Sequence, residues 1–258
     1  MPMGAILSAH SYRRSTVNLS KKVWSYSSLK LYSQCPYAFY LRYVEDEPEQ
    51  ANAFAQVGSL VHSILERYFK GELYAFELAD IFESEYDTAV TERFPFFNMY
   101  KSYTSKSLEY LRTFDGIDGE IVGVEQKLET AIGGYKFVGF ADLILRDENG
   151  LHLIDHKSHG AWKSKAERKD YFRQLYLYCH AIKEKYGEFP YKLSFNKFRM
   201  PDDPLDSEEF HEGDYTAALD WFKTGVEQIL SEKEWECKPD GWYCEKLCGL
   251  NSCVYRGE

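Results

Sequence analysis

The chain has 258 residues, 44% of them hydrophobic, and a formal net charge of −10. That is enough apolar material for one sizeable core, or a core with a small accessory lobe, without help from disulfides. The acidic balance excludes a protein that coats nucleic acid through a general basic surface, so any contact with DNA has to be local.

Residues 1–23 are mixed polar and basic with no sustained period, which predicts a flexible or irregular arm. Met3–Leu7 is too short for a signal-peptide core, and Arg13 and Arg14 lie on its wrong side. No later apolar run is long enough to span a bilayer, so the expected setting is cytoplasmic, with no membrane partner. Order is expected from about Trp24, with Ser27 and Ser28 placed to cap a helix through Gln34. Pro36 then restarts the helix for Tyr37–Val44 and leaves Cys35 at the junction. Between Ala51 and Phe69 the residues Phe54, Val57, Val61, Ile64, Leu65 and Tyr68 recur at helical spacing, which predicts a long amphipathic helix. Two more helices are expected over 74–92 and 98–114.

From Ile121 to Lys157 β-branched and alternating residues take over. Gly133-Gly134 and Asn149-Gly150 punctuate this stretch as turns, giving a three-strand meander. A helix from about Lys165 to Lys185, a strand around Tyr191–Phe198 and a helix from Glu212 to Leu230 follow. The fold class is therefore α/β: an arm (1–23), a helical segment (24–118), a mixed core (119–232) and a cysteine-bearing end (233–258). That end has no helical or strand period, so something other than a hydrophobic core must hold it. Two runs are basic: Lys163, Lys165, Arg168, Lys169 and Arg173, and Arg13, Arg14, Lys21 and Lys22. Each reads equally well as a solvated face or as a phosphate track.

In the third predicted strand a period of two puts Leu151, Leu153, Asp155 and Lys157 on one face, so a carboxylate and an ammonium emerge together. Gly139-Phe140-Ala141-Asp142 ends an apolar run on the preceding strand with a second acid. The intervening turn folds Asp142 and Asp155 onto adjacent strands. Two hard oxygen ligands beside a lysine suit phosphoryl transfer: Mg²⁺ or Mn²⁺ on Asp142 and Asp155, with Lys157 orienting water or neutralising developing charge. An isolated Asp-X-Lys is more often an interstrand ion pair, so this spacing alone is weak evidence.

Gly139-Phe140-Ala141-Asp142, Ile154-Asp155-His156-Lys157 and Gln174-Leu175-Tyr176-Leu177-Tyr178 together resemble the RecB-like branch of the PD-(D/E)XK nucleases. That branch includes helicase–nuclease subunits and CRISPR-associated RecB-like exonucleases. The resemblance runs from about Trp24 to the C-terminus; the 74–118 helices lie outside its diagnostic motifs. It implies a restriction-endonuclease-like core, and a Gln174/Tyr178 pair one helical turn apart near the DNA end. It also implies that Gly58–Glu66 is the leading helix, whose His62 completes the metal site. Glu125, in the first strand, is a weaker candidate for a remaining carboxylate. His156 and His159 are expected to face away from the metal or lie beyond it.

Six cysteines in a reducing compartment are not expected to pair as disulfides, and Cys237, Cys244, Cys248 and Cys253 crowd the last stretch. One upstream cysteine, Cys35, with Cys244, Cys248 and Cys253 resembles the iron–sulfur nucleases of the same branch. There such a set holds a [4Fe–4S] cluster and ties the chain ends together. Three residues separate Cys244 from Cys248 where two are usual, Cys237 is additional, and a four-thiolate Zn²⁺ site is the main competitor. Cys179 reads as a buried helix residue.

The expected function is a metal-dependent exonuclease acting on DNA ends, single-stranded by preference, with protein partners in recombination, repair or a CRISPR-related pathway. The rival reading is a nuclease-fold module that binds DNA or protein without cutting and keeps its cysteine site for stability. Intact Asp142, Asp155 and Lys157 argue against it.

Overall fold

The computed structural model describes Leu19 and residues 22–254. Apart from Leu19, Lys22 and Val23, the expected N-terminal arm lies outside the described residues, as do Arg13, Arg14 and Lys21. Trp24 pins the start of the domain. Its N–H donates to Lys136 O (2.9 Å) and its carbonyl accepts from Val138 N (2.8 Å).

Helix α1 spans Tyr26–Gln34. Its cap is Ser25 rather than Ser27 or Ser28: Ser25 Oγ accepts from Ser28 N (3.2 Å), and Ser28 Oγ accepts from Ser25 N (3.1 Å). The serine cluster was a sound signal, but the reciprocal capping box puts the helix start two residues earlier than Ser27. Helix α2 (Pro36–Tyr43) begins on Pro36, where the missing N–H costs nothing. Helices α3 (Ala53–Phe69), α4 (Leu78–Ala89) and α5 (Phe97–Thr113) complete the helical part.

The strands β1 (Glu120–Ile132), β2 (Tyr135–Asp147) and β3 (Gly150–Lys157) form the antiparallel meander. Helix α6 (Lys165–Tyr186) crosses over to β4 (Lys192–Lys197), which lies parallel to β3. Ser164 caps the start of α6, and Gly187, with φ +81°, ends it in the left-handed conformation that glycine adopts without strain. A fifth strand, β5 (Leu205–Glu209), pairs antiparallel with β4 and closes the order β1-β2-β3-β4-β5. Sequence reasoning missed it because Leu-Asp-Ser-Glu-Glu has little strand propensity, and tertiary pairing makes it a short, charged edge. Helix α7 (Glu212–Ser231) follows, and then α8 (Gly241–Lys246), a short helix in the stretch read as irregular. Asp240 caps α8 by accepting from Tyr243 N (3.1 Å).

The sheet is covered on both faces. Leu151, Leu153 and Phe195 pack with Phe172 and Leu175 of α6 and Phe222 of α7. Leu143, Leu145 and Ile154 pack with Val57, Val61 and Leu65 of α3 and Leu111 of α5. Double coverage explains why β3 is buried along its length, which masks the alternation of a half-exposed strand. The sheet thus carries the C-terminal end of β3 into the cleft between α3 and α6. No helix of the described residues is long and apolar enough to cross a membrane.

Candidate active site

Register decides which acids meet. Leu143 of β2 pairs with Ile154 of β3, so Asp142 and Asp155 occupy the next facing positions. Val124 and Gln126 of β1 pair with Leu143 and Ala141, so Glu125 faces Asp142 from the other side. Glu125 has φ +48°, a left-handed conformation costly for a non-glycine residue and typical of functional sites. His62, one turn along α3 from Gly58, brings Nδ1 to 3.4 Å from Asp142 Oδ2. Ligand atoms of His62, Glu125 and Asp142 lie within 4.8 Å of one another. They line a cavity of about 460 Å³ together with Gly58, Glu66 and Ser158.

Asp155 is held differently. Its Oδ1 accepts from Gln174 Nε2 (3.0 Å), and its Oδ2 lies 2.6 Å from Lys157 Nζ. Gln174 also donates to Tyr178 Oη (2.8 Å). Both Gln174 and Tyr178 are buried, and the pair expected near the DNA end reaches Asp155 through Gln174. The helical spacing was right; the direction in which the stripe points depended on how α6 packs against β3. Asp155 itself, expected beside Asp142 as a ligand, stands outside the His62–Glu125–Asp142 group. Its buried Oδ2 is ion-paired with Lys157.

The electrostatics describe a site short of positive charge. Burial first, and then the charge of Asp155, push the Asp142 carboxyl well above the usual carboxylate range; Lys157 and the His156 N–H, which donates to Asp142 Oδ2 (2.6 Å), offset this only in part. Burial, with Glu66 and Asp155 adding to it, raises Glu125 as well. Burial also pushes His62 down to about 4, so its imidazole is neutral at pH 7, the form that binds a metal. For Lys157 burial works to lower the pKa, but Asp155 and Asp142 outweigh it and hold the ammonium above its ordinary value.

Other candidates are placed as follows. His156 stacks its ring on Phe69, hydrogen-bonds Asn196 and meets the His62 ring edge-on at 5.6 Å between centroids. His159 packs on Trp162 and Tyr171. Of the described basic run, Arg168 pairs with Asp206 and Glu208, Lys169 with Asp214 and Arg173 with Asp170. Three of the five cations therefore have acidic partners within the chain.

At the far end of the molecule, C-terminal backbone reaches α1, α2 and the loop after α2: Tyr37 N donates to Glu236 O (3.1 Å) and Gln50 N to Gly249 O (2.9 Å). Cys35 and Cys248 pack with Leu41 and Leu250, with Cys237 and Cys253 alongside. Cys35 Sγ lies 4.0 Å from Cys237 Sγ. Burial, and then the Cys35, Cys253 and Cys244 sulfurs, raise the Cys237 thiol, so Cys237 belongs to the same group as the expected ligands. Cys179 is fully buried in α6, away from this group.

A family model described as the PD-(D/E)XK nuclease superfamily matches residues 23–257. Among solved structures, a protein of Eubacterium rectale provisionally named an exonuclease is similar at 14% identity and a TM-score of 0.50, over 91% of this chain and 90% of that one. A second, SSO0001, is similar at 16% identity and a TM-score of 0.38, over 91% of this chain and 86% of that one. No curated protein matches the chain.

Proposed function

The chain belongs to the PD-(D/E)XK nuclease superfamily, and we propose that it is a divalent-metal-dependent deoxyribonuclease that trims DNA ends, single strands by preference. The observation that carries this reading is the convergence of His62, Glu125 and Asp142 at one cavity, with the Asp155–Lys157 pair on the adjoining strand end. A divalent cation fits there on physical grounds. Three ligand atoms lie within 4.8 Å of one another, and burial and then neighbouring acids raise the Asp142 and Glu125 carboxyls, a repulsion that a cation would relieve.

His62, Glu125, Asp142 and Asp155 Oδ2 would hold Mg²⁺ or Mn²⁺; when bound, the ion polarises the phosphate and makes bound water more acidic. Gln174, itself tied to Tyr178, fixes Asp155 through Oδ1, while Oδ2 pairs with Lys157. Lys157 keeps its charge and stabilises negative charge growing on the phosphate as water adds to phosphorus and the bond to the leaving sugar oxygen breaks. The preference for a single strand is supported by the acidic surface and the neutralised basic run, which offer little grip on long duplex. The exonuclease name of the Eubacterium rectale protein supports action at ends.

The thiols of Cys35, Cys244, Cys248 and Cys253 would hold a [4Fe–4S] cluster that ties the chain ends together, with Cys237 as the alternative ligand. A four-thiolate zinc site is the competing occupant of the same sulfurs.

End-labelled single- and double-stranded DNA, incubated with Mg²⁺, Mn²⁺ or chelator, tests the activity. Lys157→Ala should lose cleavage by about 10²–10³-fold while keeping the fold. A covalently closed single-stranded circle should resist at matched salt. Cleavage by Lys157→Ala at the wild-type rate would remove the active-site assignment, and early degradation of the circle would remove the end requirement.

A further inference from the structure

A second, smaller cavity, of about 220 Å³, adjoins the metal cavity. Ser158 lines both, and Lys157 lines the smaller one, so the two are neighbours across the end of β3. Tyr103, His159, Tyr171 and Arg199 complete its walls. Arg199 is the unusual member. Its guanidinium lies 3.5 Å over the ring of Tyr103, which is also a hydrogen-bond partner, and it makes long hydrogen bonds to Ser158 O and Ser102 Oγ (both 3.4 Å). Its Nε is buried with no partner. No described carboxylate lies within ion-pair distance of it, whereas Arg168, Lys169 and Arg173 each have one. A half-buried guanidinium with no counterion is costly unless an anion arrives from outside.

The aromatic wall continues outward. Tyr103 meets Phe94 (5.6 Å between ring centroids), Phe94 meets Tyr100 (5.9 Å) and Tyr100 meets Phe97 (5.9 Å). Exposure rises along this row to 40% at Tyr100 and 74% at Phe97. Exposed rings in a row leading from a cation are what a single strand uses: phosphate on the charge, bases stacked on the π-faces.

We propose that this cavity is the subsite for the nucleotide next to the scissile bond, where Arg199 binds that nucleotide's phosphate and Tyr100 and Phe97 stack on the bases beyond it. The proposal rests on the nuclease reading above. It adds a second cation beside Lys157 at the same cavity.

The test is fluorescence anisotropy of a short labelled single-stranded oligonucleotide on the full chain, in chelator so that nothing is cut, across a series of salt concentrations. Arg199→Gln should weaken binding about tenfold and reduce the salt slope by about 0.7, the loss of one phosphate contact on a single strand. Arg199→Lys should restore the slope but not the full affinity, because lysine cannot bind a phosphate in bidentate fashion. Phe97→Ala should weaken binding by at least about fivefold at an unchanged slope. Lys223→Gln, on exposed α7, should change neither. In cleavage with Mg²⁺, Arg199→Gln should raise KM with kcat held within about threefold, the mark of lost binding. An Arg199 that merely packs Tyr103 would lower the melting temperature and leave the salt slope alone. If Arg199→Gln binds with the wild-type affinity and slope, the subsite is wrong and the nuclease reading stands. If the wild-type protein neither binds nor cuts DNA, the nuclease reading falls and the subsite with it.

Discussion

The sharpest test of how the site is assembled is a substitution that touches none of its charged groups. Gly139 begins the Gly139-Phe140-Ala141-Asp142 run on β2, and a Cβ there would lie 2.3 Å from Cε1 and 2.8 Å from Cδ1 of Tyr178. The Tyr178 ring would have to retreat by more than about 1 Å to restore ordinary contact at about 3.5–4.0 Å. It is buried in α6 and cannot move alone. A shift of that size stretches the 2.8 Å Gln174–Tyr178 bond beyond hydrogen-bond range and loosens the Gln174 amide that holds Asp155. Gly139→Ala should therefore cost about 1–3 kcal/mol through overpacking. In a chain of this size that lowers the melting temperature by about 2–12 °C. Cleavage should fall further than stability explains, by about 10²-fold, because the carboxylate is misplaced by a fraction of an ångström or more. Melting curves and single-turnover cleavage of labelled single-stranded DNA measure the two effects. Adding Tyr178→Ala removes the obstructing ring, so the double variant should be less destabilised than the two single changes summed. It should not regain activity, since Gln174 still lacks its support. A Gly139→Ala protein that melts and cuts like wild type would refute the link from β2 through Tyr178 to Asp155.

Three further outcomes are expected. Glu125→Gln should raise the Mg²⁺ concentration for half-maximal cleavage by about 10–100-fold, and an unchanged requirement in a metal titration would take Glu125 out of the metal site. Protein purified without oxygen should be brown and contain iron and acid-labile sulfide, with Cys35→Ser as damaging as Cys248→Ser; colourless, zinc-loaded protein would contradict this. His152 is buried against Ser194 Oγ (2.7 Å), and burial, with Lys192 adding to it, pushes it down to about 4, against about 6.5 in an unfolded chain. The unfolded state then binds the extra proton first, so this stability is intact above about pH 6.5 and up to about 3 kcal/mol of it is lost as pH falls to 4. Urea midpoints at pH 7 and pH 4.5 check it, and His152→Gln should narrow the difference between them.

Much of the site was legible before any coordinates because it is written in local patterns. The period-two placement of Asp155 and Lys157 needs only a strand, and the i, i+4 stripe of Gly58, His62 and Glu66 needs only a helix. The order of helices, meander, crossover helix and parallel strand follows from turn residues and periodicity, and it brought the family resemblance with it. Glu125 ranked only as the weaker candidate among the acids. Its importance comes from the register of β1 against β2 and from a left-handed backbone that no propensity forecasts for glutamate.

What the tertiary structure alone decided is which groups satisfy one another. Gln174 and Tyr178 share a helical face in any reading, but only the packing of α6 on β3 turns that face onto Asp155. The run of cations from Lys163 to Arg173 looks free in the sequence; β5, an edge strand with no propensity of its own, supplies Asp206 and Glu208 to neutralise Arg168. Arg199, which no motif singles out, has no acid within ion-pair distance among the described residues; the Tyr103 ring and the Ser158 carbonyl face it instead. Periodicity determines which side of an element a residue is on. Charge compensation between residues far apart in the chain is a sum over neighbours in space, and those neighbours exist only once the sheet and its two helical layers have closed.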